Sequence, residues 1–424
     1  MVSGASVTST VFRNALLVDA SADEPREGLD LVVADGRIAE IASGAKTPDG
    51  AREIDCRGAT LMPGLIDAHV HVKATDLDVS LLNLRAPSYL FAQTAAIMGA
   101  MLDRGFTTVR DAAGADRGLA DAVDHGLLRG PRLRVCGLAL SQTGGHSDTR
   151  PVSVMSTESD VERHNAMQQL GRIADGVDEC RRAARDELRK GAHHVKIMAG
   201  GGVSSPSDPI ENTQYSMEEL TAICEEAAAW QTYAMAHTYT PEAISMAVRA
   251  GVRTVEHCNL IDAETAALVA EKGAYHVPTN ITYWALNKHG KEFGFPQVSI
   301  DKLQMIVDAG LGAMEKTRDA GVKIGFGTDL LGPCHHYQAN EFSLSAEVLG
   351  NRGALEASLE TNAEIMGLEH EIGRLQPGYR ADLIVVRGNP LDDIGCLEND
   401  GERIALVMKD GIVARDALNE RPAA

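Results

Sequence analysis

The alternation of apolar and polar positions changes character twice along the chain. In residues 11–62, short apolar runs alternate with tight turns, so that residues 14–18, 29–33, 37–41 and 59–61 read as strands. The pair Asp35-Gly36 between two of these runs is a strong hairpin signal. The same texture returns near the other end in residues 382–386, 404–408 and 412–413, with Asp410-Gly411 as the turn. Strand-rich segments at both ends predict one small β-sandwich domain assembled from the two termini, with the middle of the chain inserted in it. Texture places the boundaries at residues 1–62 and 373–424 for the two parts of the sandwich and 63–372 for the insert.

The middle alternates strand and helix. Residues 65–72, 107–111, 133–140, 195–199, 233–237, 254–257, 275–279 and 323–329 read as strands, and alanine-rich amphipathic stretches at 178–190, 216–230, 240–250 and 262–272 as helices. Thr240 or Ser216 as N-cap and Gly251 or Gly273 as stop punctuate them. Eight strands, each followed by a helix or long connection, predict an α/β fold of the (β/α)8 TIM-barrel type. A doubly wound open sheet is the competing architecture, but it binds at one switch point, whereas the candidate chemistry here comes from many strand ends. The uncharged run 86–102 carries Pro87, Ser88, Gln93 and Thr94, falls short of a membrane span, and reads as a buried helix.

Charge and cysteine usage narrow the class. With 40 Lys+Arg against 60 Asp+Glu the net charge is −20, which leaves no basic face for a phosphate backbone and argues against a nucleic-acid partner. Residues 1–7 lack the basic and apolar regions of an export signal. Seven scattered cysteines with no C-x-x-C pair fit reduced thiols in a cytoplasm. The expectation is a cytoplasmic protein with no membrane partner.

The strand at 65–72 ends in His69 and His71, whose side chains project from one strand face and invite a metal, unless they are simply a partly buried pair. Lys196, His237, His257 and Asp329 stand at the ends of other predicted strands, each delivering one group to one place. Neutral imidazoles and a carboxylate can hold a divalent ion while keeping a position open for water. A lysine ammonium cannot ligate a cation. Carboxylated by carbon dioxide it becomes a carbamate with two oxygens able to bridge two ions, and an ordinary ion pair at the barrel mouth is the alternative for Lys196.

The segments Pro63 to His71, Val195 to Ala199, Ala236 to Thr240, Val255-Glu256-His257 and Gly327-Thr328-Asp329 resemble the metal motifs of the amidohydrolase superfamily. Residues 140–146 and 191–209 are similar to its branch of Xaa-Pro and related dipeptidases with a carboxylated lysine, a branch that also contains amidases of ochratoxin A. The resemblance implies a binuclear centre, usually zinc, in which His69, His71 and Asp329 hold one ion, His237 and His257 the other, and carboxylated Lys196 bridges them. Asp329 would take the proton of the attacking water and pass it to the leaving nitrogen. His146 would polarise the scissile carbonyl and Tyr239 would bind the substrate carboxylate. The implied substrate is a small molecule, a dipeptide or N-acyl amino acid, and the implied assembly a homo-oligomer.

A mononuclear deaminase or imidazolonepropionase-type hydrolase on the same scaffold is the alternative activity, against which Lys196 argues, because a one-metal site needs no bridging carbamate. A barrel that has lost its chemistry is a third reading, opposed by the presence of every ligand type. Residues 150–169 are expected at the rim or in a lid, and Tyr283 and Trp284 in a loop that adds aromatic surface. Cys258 stands where a glycine is expected beside the site. His335 and His336 read as exposed loop histidines, His276 and His289 as flanking the seventh strand's loop, and His125, His164, His193, His194 and His370 as lying on helices or surface turns.

Overall fold

The computed structural model describes residues 9–20, 24–150, 153, 157–205 and 208–420; residues 1–7, read above for an export signal, lie outside them. The chain forms two compact units. One comprises the chain up to Asp67, Gly99–Thr108 and the chain from His336 onward; the other comprises Ala68–Met98 and Val109–His335.

The unit built on the termini holds two sheets. Strands Arg37–Ala42, Asp30–Ala34, Thr10–Arg13 and Arg52–Asp55 form the first, in that order. The second runs Ile412–Asp416, Ile404–Lys409, Leu383–Val386, Thr60–Pro63 and Leu16–Leu17. Here the two ends of the chain meet, Leu383 opposite Pro63 and Val386 opposite Thr60 in antiparallel register. Asp35-Gly36 and Asp410-Gly411 turn the expected hairpins with all four residues at positive φ, the geometry that favours Asp-Gly in two-residue turns. Phe12, Leu31 and Ile54 from one sheet and Leu61, Leu383, Val385 and Leu406 from the other pack into one core.

The barrel strands are β1 (Leu65–Val70), β2 (Phe106–Asp111), β3 (Arg132–Arg134), β4 (Ala139–Ser141), β5 (Gly171–Ile173), β6 (Val195–Met198), β7 (Ala234–Thr238), β8 (Thr254–His257) and β9 (Tyr275–Val277). Parallel pairing runs β5-β4-β6-β7-β8-β9, and β1-β2-β3 form a second ladder. Main-chain hydrogen bonds join the two ladders into a ring. Gly114 N–H donates to Gly137, and His193 N–H to Val135. At the other join His276 bridges Ile324 and Ala68 N–H donates to Phe326. The fold is a (β/α)8 barrel with a β-sandwich made from both termini.

The helices follow their caps. Ser216 closes a capping box with Glu219 at the start of Met217–Ala229, Thr240 caps Pro241–Ala250, and Gly251 ends that helix in the left-handed conformation. Of the expected rim segment, residues 151–152 and 154–156 lie outside the described residues, and the helix Glu158–Met167 is the described part.

Local chemistry overrides periodicity at several places. The strand expected at 133–140 breaks into β3 and β4 because Gly137 sits at φ 71, where an added Cβ would lie 2.3 Å from the Glu187 carboxylate. Residues 323–329 do not form a regular strand; glycines at 325 and 327 leave an extended segment with one ladder bridge, at Ile324. The helix Pro87–Asp103 is not buried, with Tyr89 and Phe91 about half exposed, since apolar residues circle it and only one side meets the core. Tyr283 and Trp284 lie on the helix Asn280–His289 rather than in a loop. Among the described residues no helix is long and apolar enough to cross a membrane.

His194 and His335 are also buried, not at the surface as expected. Half-buried His193 accepts at Nδ1 from the Val135 N–H, at 3.0 Å, so that nitrogen carries no proton. Burial, with Arg134 and Arg117 nearby, pushes its pKa down to about 4. An unfolded histidine titrates near ~6.5, so below that pH the unfolded chain binds more protons than the folded one. The stability this contributes is complete above pH ~6.5 and lost as pH falls toward the folded value. The urea midpoint should therefore drop between pH 7 and about 4.5, and less steeply in His193→Asn; an equal slope in the two proteins would remove His193 as a cause.

Candidate metal and catalytic site

The two joins of the barrel ring also bring the chemistry together. Thr328 and Asp329 N–H both donate to the His69 carbonyl, at 3.1 and 2.8 Å, which docks the irregular eighth segment against β1. Gly327 allows this approach, because a Cβ there would stand 2.8 Å from the Cβ of His69 and 2.4 Å from Val277. Asp329, in the left-handed region at φ 51, then turns its carboxylate to the histidines. Its Oδ1 lies 2.9 Å from His71 Nε2 and 3.4 Å from His69 Nε2, and its Oδ2 4.0 Å from His257 Nδ1. One ligand atom from each of His69, His71 and Asp329 falls within 4.8 Å of the others.

The remaining expected ligands share this place. His257 is 5.0 Å from His69 and 4.6 Å from His237 between ring centroids. Lys196, on β6, is 1 % exposed and lines the same cleft. Desolvation holds its ammonium pKa below the ordinary value, although Glu256 and Asp329 oppose the shift. Asp329 shows the reverse balance: burial opposes ionisation, and His69 and His71 outweigh it, holding its carboxyl well below the usual range.

Each imidazole is anchored through one nitrogen. His69 Nδ1 donates to Glu256 Oε2 at 2.7 Å, His257 Nδ1 meets Thr279 Oγ1 at 2.8 Å, and His237 Nε2 donates to the Gly201 carbonyl at 2.9 Å. The opposite nitrogen of each ring is left for the centre. His257 Nε2 is buried and has no hydrogen-bond partner among the described residues. An anchored ring with its other nitrogen held back is what metal-ligating histidines require, and a buried imidazole nitrogen without a partner is costly otherwise.

His146 and Tyr239 also line the cleft. The His146 ring stacks on His237 at 4.3 Å. The Tyr239 hydroxyl lies 3.0 Å from that of Tyr283, and burial raises both phenol pKa values, so both stay neutral. His276, read as flanking the seventh strand's loop, lies within β9, faces the Thr317 hydroxyl and donates from Nε2 to the His257 carbonyl; His289 and Trp284 are not among the cleft's lining residues. Cys258 and His257 both occupy the left-handed region, at φ 55 and 71, which explains why glycine would suit position 258.

Sequence reading missed the layer beneath. Glu256 sits inside a motif quoted for its histidine, and Arg110 near the end of β2, both fully buried. Arg110 donates to Glu256 at 3.1 and 3.2 Å and to the Ala68 carbonyl at 2.6 Å. Asp111 likewise accepts from the N–H groups of Val72, Ala113 and Ala115, holding the turn that follows β2 beside β1. The available signal was a charged residue inside each of two short strands, Phe106–Asp111 and Thr254–His257.

The amidohydrolase family, by its sequence pattern, matches residues 60–413. The chain belongs to the amidohydrolase family. This amidohydrolase is 34 % identical over 420 residues to the ochratoxinase of Aspergillus niger, spanning 95 % of the chain and 86 % of that protein. Among solved structures it is similar to another amidohydrolase (48 % identity, TM-score 0.93, 96 % and 98 % of the two chains covered). It is also similar to a prolidase complexed with N-methylphosphonate-L-proline (44 % identity, TM-score 0.93, 96 % and 99 % covered). The amidohydrolase is a hydrolase of amide bonds, and its family generally uses metal ions, which the His69, His71 and Asp329 group fits.

Glu256→Gln should separate anchoring from mere proximity. The change leaves Arg110 unpaired and weakens the hold on His69 Nδ1. Loss of such a partner typically costs about 10–100-fold in metal affinity, and breaking a buried ion pair about 3–5 kcal/mol of stability. Competition of the purified variant with a divalent-metal chelator measures the first effect, and an unchanged affinity would show that Glu256 serves the fold only.

Proposed function

We propose that this amidohydrolase cleaves the amide bond to a C-terminal amino acid with a free carboxylate, using two divalent ions, with zinc as the expected metal. His69, His71 and Asp329 would hold one ion, His237 and His257 the other, with carboxylated Lys196 between them. The observation that carries the reading is the placement of Asp329 within 2.9 Å of His71 and 3.4 Å of His69, in a cleft also lined by Lys196, His237, His257, His146 and Tyr239. The buried Lys196 supports its part: desolvation favours the neutral amine, the form to which carbon dioxide adds.

When bound, the ions would supply Lewis-acid activation of a water. Asp329, as a carboxylate, accepts the proton of that water as it attacks the carbonyl carbon and returns it to the leaving nitrogen. His146 hydrogen-bonds to the carbonyl oxygen as negative charge grows there. The neutral Tyr239 hydroxyl, paired with Tyr283, donates to the substrate carboxylate. Both likeness to a prolidase and likeness to an ochratoxinase are compatible with this chemistry, since each name denotes release of an amino acid from an amide.

The cleft wall includes Val79, Met198, Val203, Leu286 and Leu331, and apart from Lys196 no lysine or arginine is among its described lining residues. It therefore suits apolar or uncharged C-terminal side chains better than acidic ones, which would find no further cation among those residues.

The decisive measurement is mass-spectrometric hydrolysis by metal-replete protein of Xaa-Pro, Xaa-Phe, Xaa-Lys/Arg and Xaa-Asp dipeptides, N-acyl-phenylalanines including ochratoxin A, and deamination substrates. Release of proline, phenylalanine or another neutral amino acid is expected, with Xaa-Asp slowest. Ammonia from a base, with the amides untouched, would overturn the reading. Asp329→Asn should keep the fold and lower kcat by several orders of magnitude. In Lys196→Ala metal analysis should find fewer than two ions per chain, and two retained ions would remove the carbamate from the proposal.

A further inference from the structure

We infer that Asp208 is a positioning residue that sets which edge of the His146 ring faces the substrate, and that Lys302 holds Asp208 in place. The inference rests on the reading of His146 as the donor to the scissile carbonyl.

The His146 ring lies against Gly202, where an added Cβ would fall 1.8–2.4 Å from the ring atoms, and stacks on His237 at an interplanar angle of 15°. Such contacts fix the plane of an imidazole but are nearly indifferent to a flip that exchanges its two nitrogens. Something polar must choose the edge. Asp208 Oδ2 stands 3.4 Å from Nδ1, which leaves Nε2 on the side of Ser204, a residue that lines the cleft. This separation is long for a hydrogen bond, and catalytic contacts of this kind commonly shorten only when substrate is bound.

The carboxylate is itself tightly located. Asp208 is 1 % exposed, and a buried carboxylate is tolerated only when paired. Gln214 donates from Nε2 to Asp208 Oδ2 at 3.0 Å, while its Oε1 accepts from the His146 main-chain N–H at 3.0 Å. One amide thus ties the backbone of His146 to the carboxylate that faces its ring. Lys302, on the helix Gln297–Leu303, completes the set. Its ammonium donates to the carbonyls of Gly202 at 3.0 Å, Ser205 at 2.7 Å and Asp208, and stands 3.8 Å from Asp208 Oδ1. Three donors meet three carbonyls. Gly202 and Asp208, the two groups that define the ring's seat, are held by one lysine that is not among the cleft's lining residues. Spacing could not reveal this, since Lys302 is 94 residues from Asp208.

A double-mutant cycle on the metal-replete enzyme tests it. With the fastest amide of the panel, His146→Ala establishes what the histidine contributes to kcat. Asp208→Asn should lower kcat by about 10²-fold, the cost of a misplaced catalytic group, with KM and metal content near those of the wild type. In the His146→Ala background the same substitution should cost less than about threefold, the coupling expected of a residue acting through another. Lys302→Met should repeat the pattern at about tenfold, and serves if Asp208→Asn does not fold. The cycle is read in parallel as affinity for N-methylphosphonate-L-proline, whose phosphonyl oxygens stand in for the attacked carbonyl, so it does not depend on turnover. An Asp208→Asn effect that persists undiminished without His146, or that tracks lost metal, overturns the positioning role. Wild-type kcat in His146→Ala overturns instead the role given to His146, and amides untouched by the wild type overturn the proposed function.

Discussion

Glu256 is a carboxylate with no access to water, and the arrangement of the centre depends on how its charge is met. Burial opposes its ionisation, and Arg110 with the hydrogen bond from His69 outweighs that cost, holding the carboxyl below the usual range. A buried pair of this kind is weak evidence for net stability but a strong constraint on geometry, because each partner left alone would be an uncompensated charge. Arg110 also binds the Ala68 carbonyl, and Thr254 donates to Glu256. β1, β2 and β8 are thereby locked in register beneath the histidines, and His69 is fixed as the ring whose Nε2 faces Asp329.

From that base the site is built by one repeated device. Three imidazoles each give one nitrogen to the protein and keep the other free of that anchor, and the anchors come from unlike sources: a carboxylate for His69, a hydroxyl for His257, a carbonyl for His237. Divided anchoring lets the rings converge from three strands without competing for a common partner. Asp329 is brought in differently, through two main-chain bonds to the His69 carbonyl and a glycine that lets the segments touch. Irregular backbone replaces a strand where the site needs a side chain to turn inward.

The substrate-facing wall follows another logic. His146, Tyr239 and Tyr283 are polar groups set among apolar side chains, and their hydrogen-bond partners lie on distant segments. On the proposed function, a wall of this composition would fix the reacting amide through a few directed groups and leave the substrate's side chains to apolar contact. The chain's likeness to both a prolidase and an ochratoxinase fits that division of labour.

The sequence by itself determined the barrel and the sandwich, because period-2 runs, Asp-Gly turns and helix caps are local signals that survive without tertiary context. His69, His71, Lys196, His237, His257 and Asp329 were legible because strand ends must deliver chemistry to one face of a barrel. Only the tertiary structure could bring in Arg110, Glu256, Asp208 and Lys302. Their contacts span 94 residues between Asp208 and Lys302, 146 between Arg110 and Glu256, and 187 between His69 and Glu256. Buried charges are placed by the partners that folding brings to them, and a strand's apolar pattern carries no record of which partner will arrive.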